Sequence, residues 1–167
     1  QRMLKEGSDE PKPAQRVWIA KLGSKELRPL GVPPVENRVV EMALGNVLEP
    51  IFEHPFAEDS YGFRPGRGAK EARRRVAELL QAGQCWVVDA DRKGYFESIA
   101  QDKLMTAVGE HVADGAVLEL IQRFLKQGVM ESGKGWSPTE KGTPQGGVLS
   151  PLLANIYLNP LEHRMAG

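Results

Sequence analysis

Residues 142–155 read Gly-Thr-Pro-Gln-Gly-Gly-Val-Leu-Ser-Pro-Leu-Leu-Ala-Asn, a turn rich in Gly and Pro followed by an apolar run that extends to Leu161. The run is apolar on nearly every side, which predicts a buried helix, and Pro151 is compatible with its first turn. A glycine-flanked turn at a helix start leaves backbone N–H groups free for an anion or the edge of a nucleotide. A simple helix-initiating loop has the same pattern, so both interpretations stay open.

A second stretch, residues 86–99, reads Trp-Val-Val-Asp-Ala-Asp-Arg-Lys-Gly-Tyr-Phe-Glu-Ser-Ile. Its first three residues predict a strand, and strand alternation would point Asp89 and Asp91 to the same side. A carboxylate at the end of an apolar strand requires a cation, and Mg²⁺ prefers a few carboxylate oxygens together with substrate phosphates. An ordinary strand-end acid paired with Arg92 or Lys93 is the alternative.

The third stretch is a predicted antiparallel hairpin near the N-terminus. Residues 17–20 and 27–32 read as strands joined by a turn at residues 23–25. Lys21 and Arg28 would then face each other near the tip and could bind a triphosphate, a task that suits the fixed donor fork of Arg. An exposed edge strand protected by charge would look the same.

Composition limits the classes of function. The 167 residues carry 22 basic and 22 acidic side chains, with 41% hydrophobic and 26% charged residues, as in a globular protein with its own core. No apolar run approaches the roughly 20 residues of a membrane span. A lone Cys85 and the absence of a signal-peptide pattern favour a reducing intracellular setting.

Basic residues are concentrated between positions 60 and 75, where six of them accompany the single acid Glu71. They are Arg64, Arg67, Lys70, Arg73, Arg74 and Arg75. Such a segment can bind phosphates even on a neutral chain, although a solvated helix face is an equal alternative.

The remaining pattern predicts an α+β fold of helices packed on small antiparallel sheets. Apolar residues recur at a helical period between positions 35 and 52, at Val40, Ala43, Val47 and Ile51. A helix over residues 69–80 would bury Ala69, Ala72, Val76 and Leu79 and expose Arg67, Lys70 and Arg74 elsewhere. Two more helices are predicted around residues 102–112 and 115–128, and a hairpin or loop within residues 133–144.

Four segments, in this order, resemble the reverse transcriptases of mobile group II introns. They are Arg28-Pro-Leu-Gly-Val-Pro, Ser60-Tyr-Gly-Phe-Arg-Pro-Gly-Arg-Gly-Ala, Asp91-Arg-Lys-Gly-Tyr-Phe-Glu-Ser-Ile and the 142–155 stretch quoted above. The resemblance covers residues 16–165. It implies fingers over residues 16–84 and a partial palm over residues 85–167. The polar residues 1–15, with Pro11 and Pro13, predict a flexible lead-in before them.

The resemblance also implies roles for individual residues. Asp91 would be catalytic and would bind Mg²⁺ with the backbone carbonyl of Arg92. Phe96 would lie under the incoming sugar, Gln145 and Gly146 would contact the nucleotide, and Lys21 and Arg28 would hold its triphosphate. Arg64 and Arg67 would contact the template. The partners implied are intron RNA as template, a DNA primer or target, and dNTPs. The setting implied is a ribonucleoprotein in the cytoplasm of a bacterium.

The sequence departs from the family pattern in three places. Arg92 occupies a position that is usually aliphatic, and Glu97 replaces the commoner Asp. The Tyr-x-Asp-Asp motif is absent, so we expect the palm to be truncated before that hairpin and the chain by itself to be inactive. We also expect self-association, because dimerisation would cover the apolar C-terminal helix.

Three alternatives remain open from the sequence. The parent protein could serve as an RNA-binding splicing cofactor (a maturase), or as a reverse transcriptase of a retron or CRISPR-linked system, although Gln145 and its flanking residues favour group II introns. The third is an unrelated α+β domain, which four ordered motifs argue against.

Overall fold

The computed structural model describes residues 10–20, 23 and 25–166. Within them the chain forms one sheet of four strands: β1 (Ala14–Ala20), β2 (Leu27–Val32), β3 (Val129–Glu131) and β4 (Gly135–Ser137). The described part also contains six helices: α1 (Val35–Glu53), α2 (Ala69–Gln81), α3 (Tyr95–Ser98), α4 (Gln101–Gly109), α5 (Gly115–Lys126) and α6 (Ser150–Ala166). This mixture of helices and a small sheet confirms the predicted fold class.

The sheet has the strand order β2-β1-β3-β4. β1 and β2 are antiparallel from the pair Gln15 and Val32 to the pair Ala20 and Leu27, which confirms the predicted hairpin. β3 joins β1 in parallel at Ala14 and Val129, and β4 returns antiparallel to β3. The sheet therefore combines strands from both the predicted fingers and the predicted palm segments, and the boundary between those segments stays a prediction.

The hydrophobic core lies among the helices. Its side chains come chiefly from α1, α4, α5 and α6, and several are fully buried: Leu48, Ile99, Leu104, Val108 and Ile121. Asp114 begins α5 as an N-cap, because its Oδ1 accepts hydrogen bonds from the N–H groups of Ala116 at 2.8 Å and Val117 at 3.2 Å. The predicted helices at residues 102–112 and 115–128 are thus confirmed with shorter bounds.

α1 has the predicted length but buries a different face. Its buried side chains are Asn37, Glu41, Leu44, Leu48 and Phe52, whereas Val47 is 59% and Ile51 39% exposed. The apolar period therefore predicted the helix correctly, although Val47 and Ile51 do not lie on its buried face. Asn37 is buried because its amide donates to the carbonyl of Lys12 at 2.8 Å and to Oε1 of Gln127 at 2.9 Å.

α2 does not bury the predicted apolar stripe. None of its residues is buried, and Val76 remains 50% exposed. The helix is attached to the preceding loop by Arg75, whose Nε donates to Oδ1 of Asp59 at 3.0 Å. The prediction of a buried stripe was wrong, because no other described element packs over that face.

The loop regions follow the Gly and Pro signals. Residues 54–68 form turns between α1 and α2. Of the hairpin or loop predicted within residues 133–144, only β4 lies in that range, because the hairpin's first strand, β3, ends at Glu131. α6 begins at Ser150, so Pro151 lies in its first turn as expected. Lys21 and, within the predicted turn at residues 23–25, Ser24 lie outside the described residues. In the part of the chain that is described, no helix has the length and hydropathy needed to cross a membrane.

Candidate active site

The loop formed by residues 142–149 lies between the sheet and α3. On one side the N–H of Gly31 in β2 donates to the carbonyl of Gln145 at 2.6 Å. On the other side the N–H of Thr143 donates to the carbonyl of Phe96 at 2.9 Å, and the N–H of Gly142 to the carbonyl of Ile99 at 2.7 Å. Backbone hydrogen bonds therefore fix this loop to two distant parts of the sequence.

Three of the sequence-predicted nucleotide-binding residues meet at this loop. Phe96 is half-buried in α3, Gln145 is half-buried at the loop, and Gly146 is exposed beside it. The amide of Gln145 donates a hydrogen bond to a carboxylate oxygen of Glu97, the residue that follows Phe96. The acid at position 97, which the sequence marked only as a departure from Asp, thus orients Gln145.

Only glycine fits at position 146. Its φ angle is 110°, and a Cβ atom added there would lie 2.7 Å from the carbonyl oxygen of Gly31. Both the backbone conformation and the close approach to β2 exclude a side chain. The glycine therefore lets the loop approach β2 closely, while its own backbone stays exposed beside Gln145.

The predicted triphosphate contacts are described only in part. Arg28 is exposed on β2 and pairs in register with Ile19 of β1. Lys21, its proposed counterpart, lies outside the described residues. Arg16 and Lys141 line a cavity of about 200 Å³ together with Gln145 and Glu97, so further cations lie near the loop.

The acidic segment differs from its prediction. Residues 84–92 form no strand, and Trp86 is 98%, Val87 75% and Val88 85% exposed. The predicted strand is wrong for a physical reason: an isolated strand leaves its backbone groups unpaired, and no described strand lies beside it. Asp89 and Asp91 are exposed there as well.

The described residues do not complete a magnesium site. No group of three or more His, Cys, Asp or Glu residues among them could hold a metal ion. Asp91 and the backbone carbonyl of Arg92 offer too few oxygens for Mg²⁺, which requires near-octahedral coordination. The alternative ion pair is not formed either, because neither Asp89 nor Asp91 pairs with a basic residue in the described chain.

The two residues predicted to contact a template have different surroundings. Arg64 has a side chain only 3% exposed, and its guanidinium donates to Glu53 and to the carbonyls of Ala57 at 2.7 Å and Ser60 at 2.9 Å. It therefore holds the loop that follows α1, and a template contact would require it to leave these partners. Arg67 lies nearer the surface, over the ring of Tyr61 at 5.9 Å.

Sequence reasoning missed two polar residues that support the loop. The amide of Gln101 donates to the carbonyls of Gly142 at 3.0 Å and Leu125 at 3.1 Å. Glu41 is buried in α1 and accepts hydrogen bonds from the loop's last N–H groups. A signal for Glu41 was present, because it falls in the helical register of Leu44 and Leu48, where an acid is unusual.

The loop is thus held between a four-stranded sheet that contains the β1–β2 hairpin and the short helix α3. Comparison with known families then identifies the family. Residues 11–167 match the reverse transcriptase (RNA-dependent DNA polymerase) family, and the chain belongs to it.

Individual relatives agree with this assignment. The group II intron-encoded protein LtrA of Lactococcus lactis subsp. cremoris is 40% identical over 159 residues, a match that covers 95% of this chain and 26% of LtrA. Protein YkfC of Escherichia coli (strain K12) is 40% identical over 163 residues, which are 95% of this chain and 42% of YkfC. The chain thus spans less than half the length of either relative.

The fold also occurs in a solved assembly. A chain of the partial Cas6-RT-Cas1–Cas2 complex aligns with a TM-score of 0.63 and 24% sequence identity, covering 99% of this chain and 28% of that chain. At that identity the likeness concerns the fold. It confirms that the sheet, the helices and their order form a known arrangement.

Proposed function

We propose that the chain supplies the fingers and part of the palm of an RNA-directed DNA polymerase of the group II intron type. The loop at residues 142–149 would be its incoming-nucleotide surface. One observation carries the proposal: the N–H of Gly31 donates to the carbonyl of Gln145, and the carbonyl of Phe96 accepts from the N–H of Thr143, so the backbone segments of Phe96, Gln145 and Gly146 are adjacent. A ring, an amide and an open backbone suit the sugar and base of a dNTP.

The proposed substrates follow from the charges around this loop. Arg16 and Lys141 line the cavity beside the loop, and cations there can offset a triphosphate. Arg28, which is exposed on β2 next to Pro29 of that cavity, is proposed as a further contact. Arg67, on the surface, is the better placed of the two template candidates. The template would be intron RNA and the primer DNA, within an intracellular ribonucleoprotein.

The proposed metal is Mg²⁺, with Asp91 and the carbonyl of Arg92 as two of its ligands. When bound, Mg²⁺ would neutralise charge on the phosphates of the dNTP. Because these ligands do not fill its coordination, we expect this chain alone to show no primer extension. A version extended through the rest of the palm and the thumb should show it.

Primer extension on an RNA template tests the proposal. In the extended version, Asp91→Asn should lower extension about a hundredfold to a thousandfold, since removal of one electrostatic group at a reaction centre costs that much. Asp102→Asn is the matched control, because Asp102 is also exposed but lies in the first turn of α4. Extension by Asp91→Asn within tenfold of the unaltered protein would refute the role of Asp91.

The splicing-cofactor function remains a second candidate because of α2. Lys70, Arg73 and Arg74 are exposed along this helix, which no other described element covers. An exposed cationic helix can bind RNA phosphates without any polymerase chemistry. RNA binding that persists when extension is absent in both the short and the extended chain would favour this candidate.

A further inference from the structure

Glu41 connects α1 to the loop at residues 142–149. It is only 2% exposed, in the middle of the helix. Its Oε2 atom accepts hydrogen bonds from the N–H groups of Val148 at 2.5 Å and Leu149 at 3.2 Å. These N–H groups stand immediately before α6, where a helix leaves its donors without partners of its own. The carboxylate therefore satisfies donors that would otherwise be unpaired close to the core.

The same carboxylate lies against the turn itself. A Cβ atom on Gly147 would be 3.2 Å from Oε2 of Glu41 and 2.6 Å from Oγ of Ser150, so the turn closes tightly around both groups. Ser150 donates its hydroxyl to the carbonyl of Pro144 at 2.7 Å, and the N–H of Gly147 donates to that carbonyl at 3.1 Å. Gln145 and Gly146 form the part of the turn that these contacts leave facing outward.

Burial of a carboxylate carries a desolvation penalty that burial of an apolar side chain does not. Burial raises the pKa of Glu41, and the N–H groups of Leu149 and Val148 and the charge of Arg38 oppose that rise. A leucine or methionine would pack at this position without that desolvation penalty. An aliphatic side chain could neither accept hydrogen bonds from the two N–H groups nor complement the positive end of α6.

We propose that Glu41 is a positioning residue that fixes Gln145 and Gly146 in their nucleotide-facing conformation, an inference that rests on the proposed function of the loop. The loop is then held from two consecutive elements: the N–H of Gly31 in β2 holds its near side, and Glu41 in α1 holds its far side. Movement of the fingers sheet and α1 together would carry the nucleotide surface with them.

The first test uses this chain and needs no activity. In an NMR titration, the amide proton shifts of Val148 and Leu149 should follow the ionisation of one carboxyl group with a pKa above the ordinary value for Glu. Residues 142–153 carry no charged side chain. The shared titration should vanish in Glu41→Gln. Amide shifts that do not titrate, or that titrate unchanged in Glu41→Gln, would overturn the positioning role.

Hydrogen exchange distinguishes the role of Glu41 as a hydrogen-bond acceptor from a role in packing alone. Glu41→Leu should lower the protection of the Val148 and Leu149 amides about tenfold or more, while Glu41→Gln, which retains a carbonyl acceptor, should restore most of it. The amide of Leu125 in α5 is the internal reference for global stability. Equal protection in Glu41→Leu and the unaltered chain would contradict the proposal.

Kinetics in the extended version then separate this inference from the proposed function. Glu41→Leu should raise KM for the dNTP about tenfold and leave kcat within about twofold, because it loosens binding without touching the reacting atoms. Glu41→Gln should remain near the unaltered enzyme. Lost amide protection with an unchanged KM would remove the nucleotide role of the loop, whereas unchanged protection would refute the positioning role whatever the kinetics.

Discussion

Arg64 is surrounded by acceptors and carries its charge inside the protein. Its guanidinium contacts Glu53 and two backbone carbonyls and lies 5.3 Å from the ring centroid of Phe56. The planar fork of five donors is what this place requires, and a point charge such as Lys could not reach all these partners. The motif around residues 60–69 therefore includes at least one residue whose role is to shape the loop.

We predict that Arg64→Ala lowers the free energy of unfolding by about 3 kcal/mol, because it leaves a half-buried carboxylate and two carbonyls without their donor. Arg64→Lys should recover only part of that loss. Urea denaturation followed by circular dichroism gives the comparison, with Arg73→Ala on the exposed side of α2 as control. That control should stay within about 0.5 kcal/mol of the unaltered chain. Equal effects at the two positions would argue against the structural role.

Gly146 supports a paired prediction. Gly146→Ala should destabilise the chain by about 1–3 kcal/mol, because its φ angle of 110° and its approach to Gly31 leave no space for a methyl group. Gly45→Ala, in the middle of α1 with no atom within 4 Å of the added Cβ, should stabilise it by about 0.5–1 kcal/mol. Melting temperatures that move in the same direction for both variants would contradict this contrast.

At the scale of elements, the sequence predicted those parts whose signals are local. The β1–β2 hairpin, α1, α4, α5 and the start of α6 follow from alternation, helical period and Gly or Pro punctuation. That the segment of Phe96 lies beside Gln145 could be expected only from the family resemblance, because the hydrogen bond between Glu97 and Gln145 joins positions far apart in the chain. The role of Glu41 was missed because the sequence around position 41 does not identify Val148 and Leu149, whose N–H groups donate hydrogen bonds to its carboxylate.

The segment at residues 86–92 was mispredicted for a related reason. Val87 and Val88 have strand propensity, but propensity for a pleated surface becomes a strand only when a neighbour pairs with it. In the described chain no neighbour does. The outcome depends on partners that the local sequence does not contain.

α2 carries the prediction that belongs to this scale. Replacing Lys70, Arg73 and Arg74 together by Gln should weaken RNA binding similarly for unrelated sequences. It should also reduce the slope of log affinity against log salt by about two, since each lost phosphate contact contributes about 0.7–0.9. Fluorescence anisotropy of labelled RNA between low and high salt measures both the affinity and the slope. Replacing Lys103, Arg123 and Lys126 on α4 and α5 is the matched control, and an equal loss there would show that α2 is not the binding surface.

For the whole molecule, the exposed apolar residues support the expectation of self-association, which stays a prediction. Val87 and Val88 are 75% and 85% exposed, and Met165 near the end of α6 is 69% exposed. Exposed strand-prone residues are templates for pairing with another chain. The double variant Val87→Thr/Val88→Thr should lower the concentration-dependent mass in light scattering. Val35→Thr/Val39→Thr, at comparably exposed positions of α1, should not.

The parallel pairing of β1 with β3 has a consequence for how the chain is made. Ala14 and Val129 are far apart in the described sequence, and the order of the sheet sets β1 between β2 and β3. During synthesis the β1–β2 hairpin leaves the ribosome before β3. One edge of β1 therefore stays unpaired until α5 and then β3 have been synthesised. Such high contact order slows folding and prolongs the exposure of an open edge. Co-translational chaperone contact should therefore concentrate on β1, and should end when the β3–β4 hairpin closes the sheet.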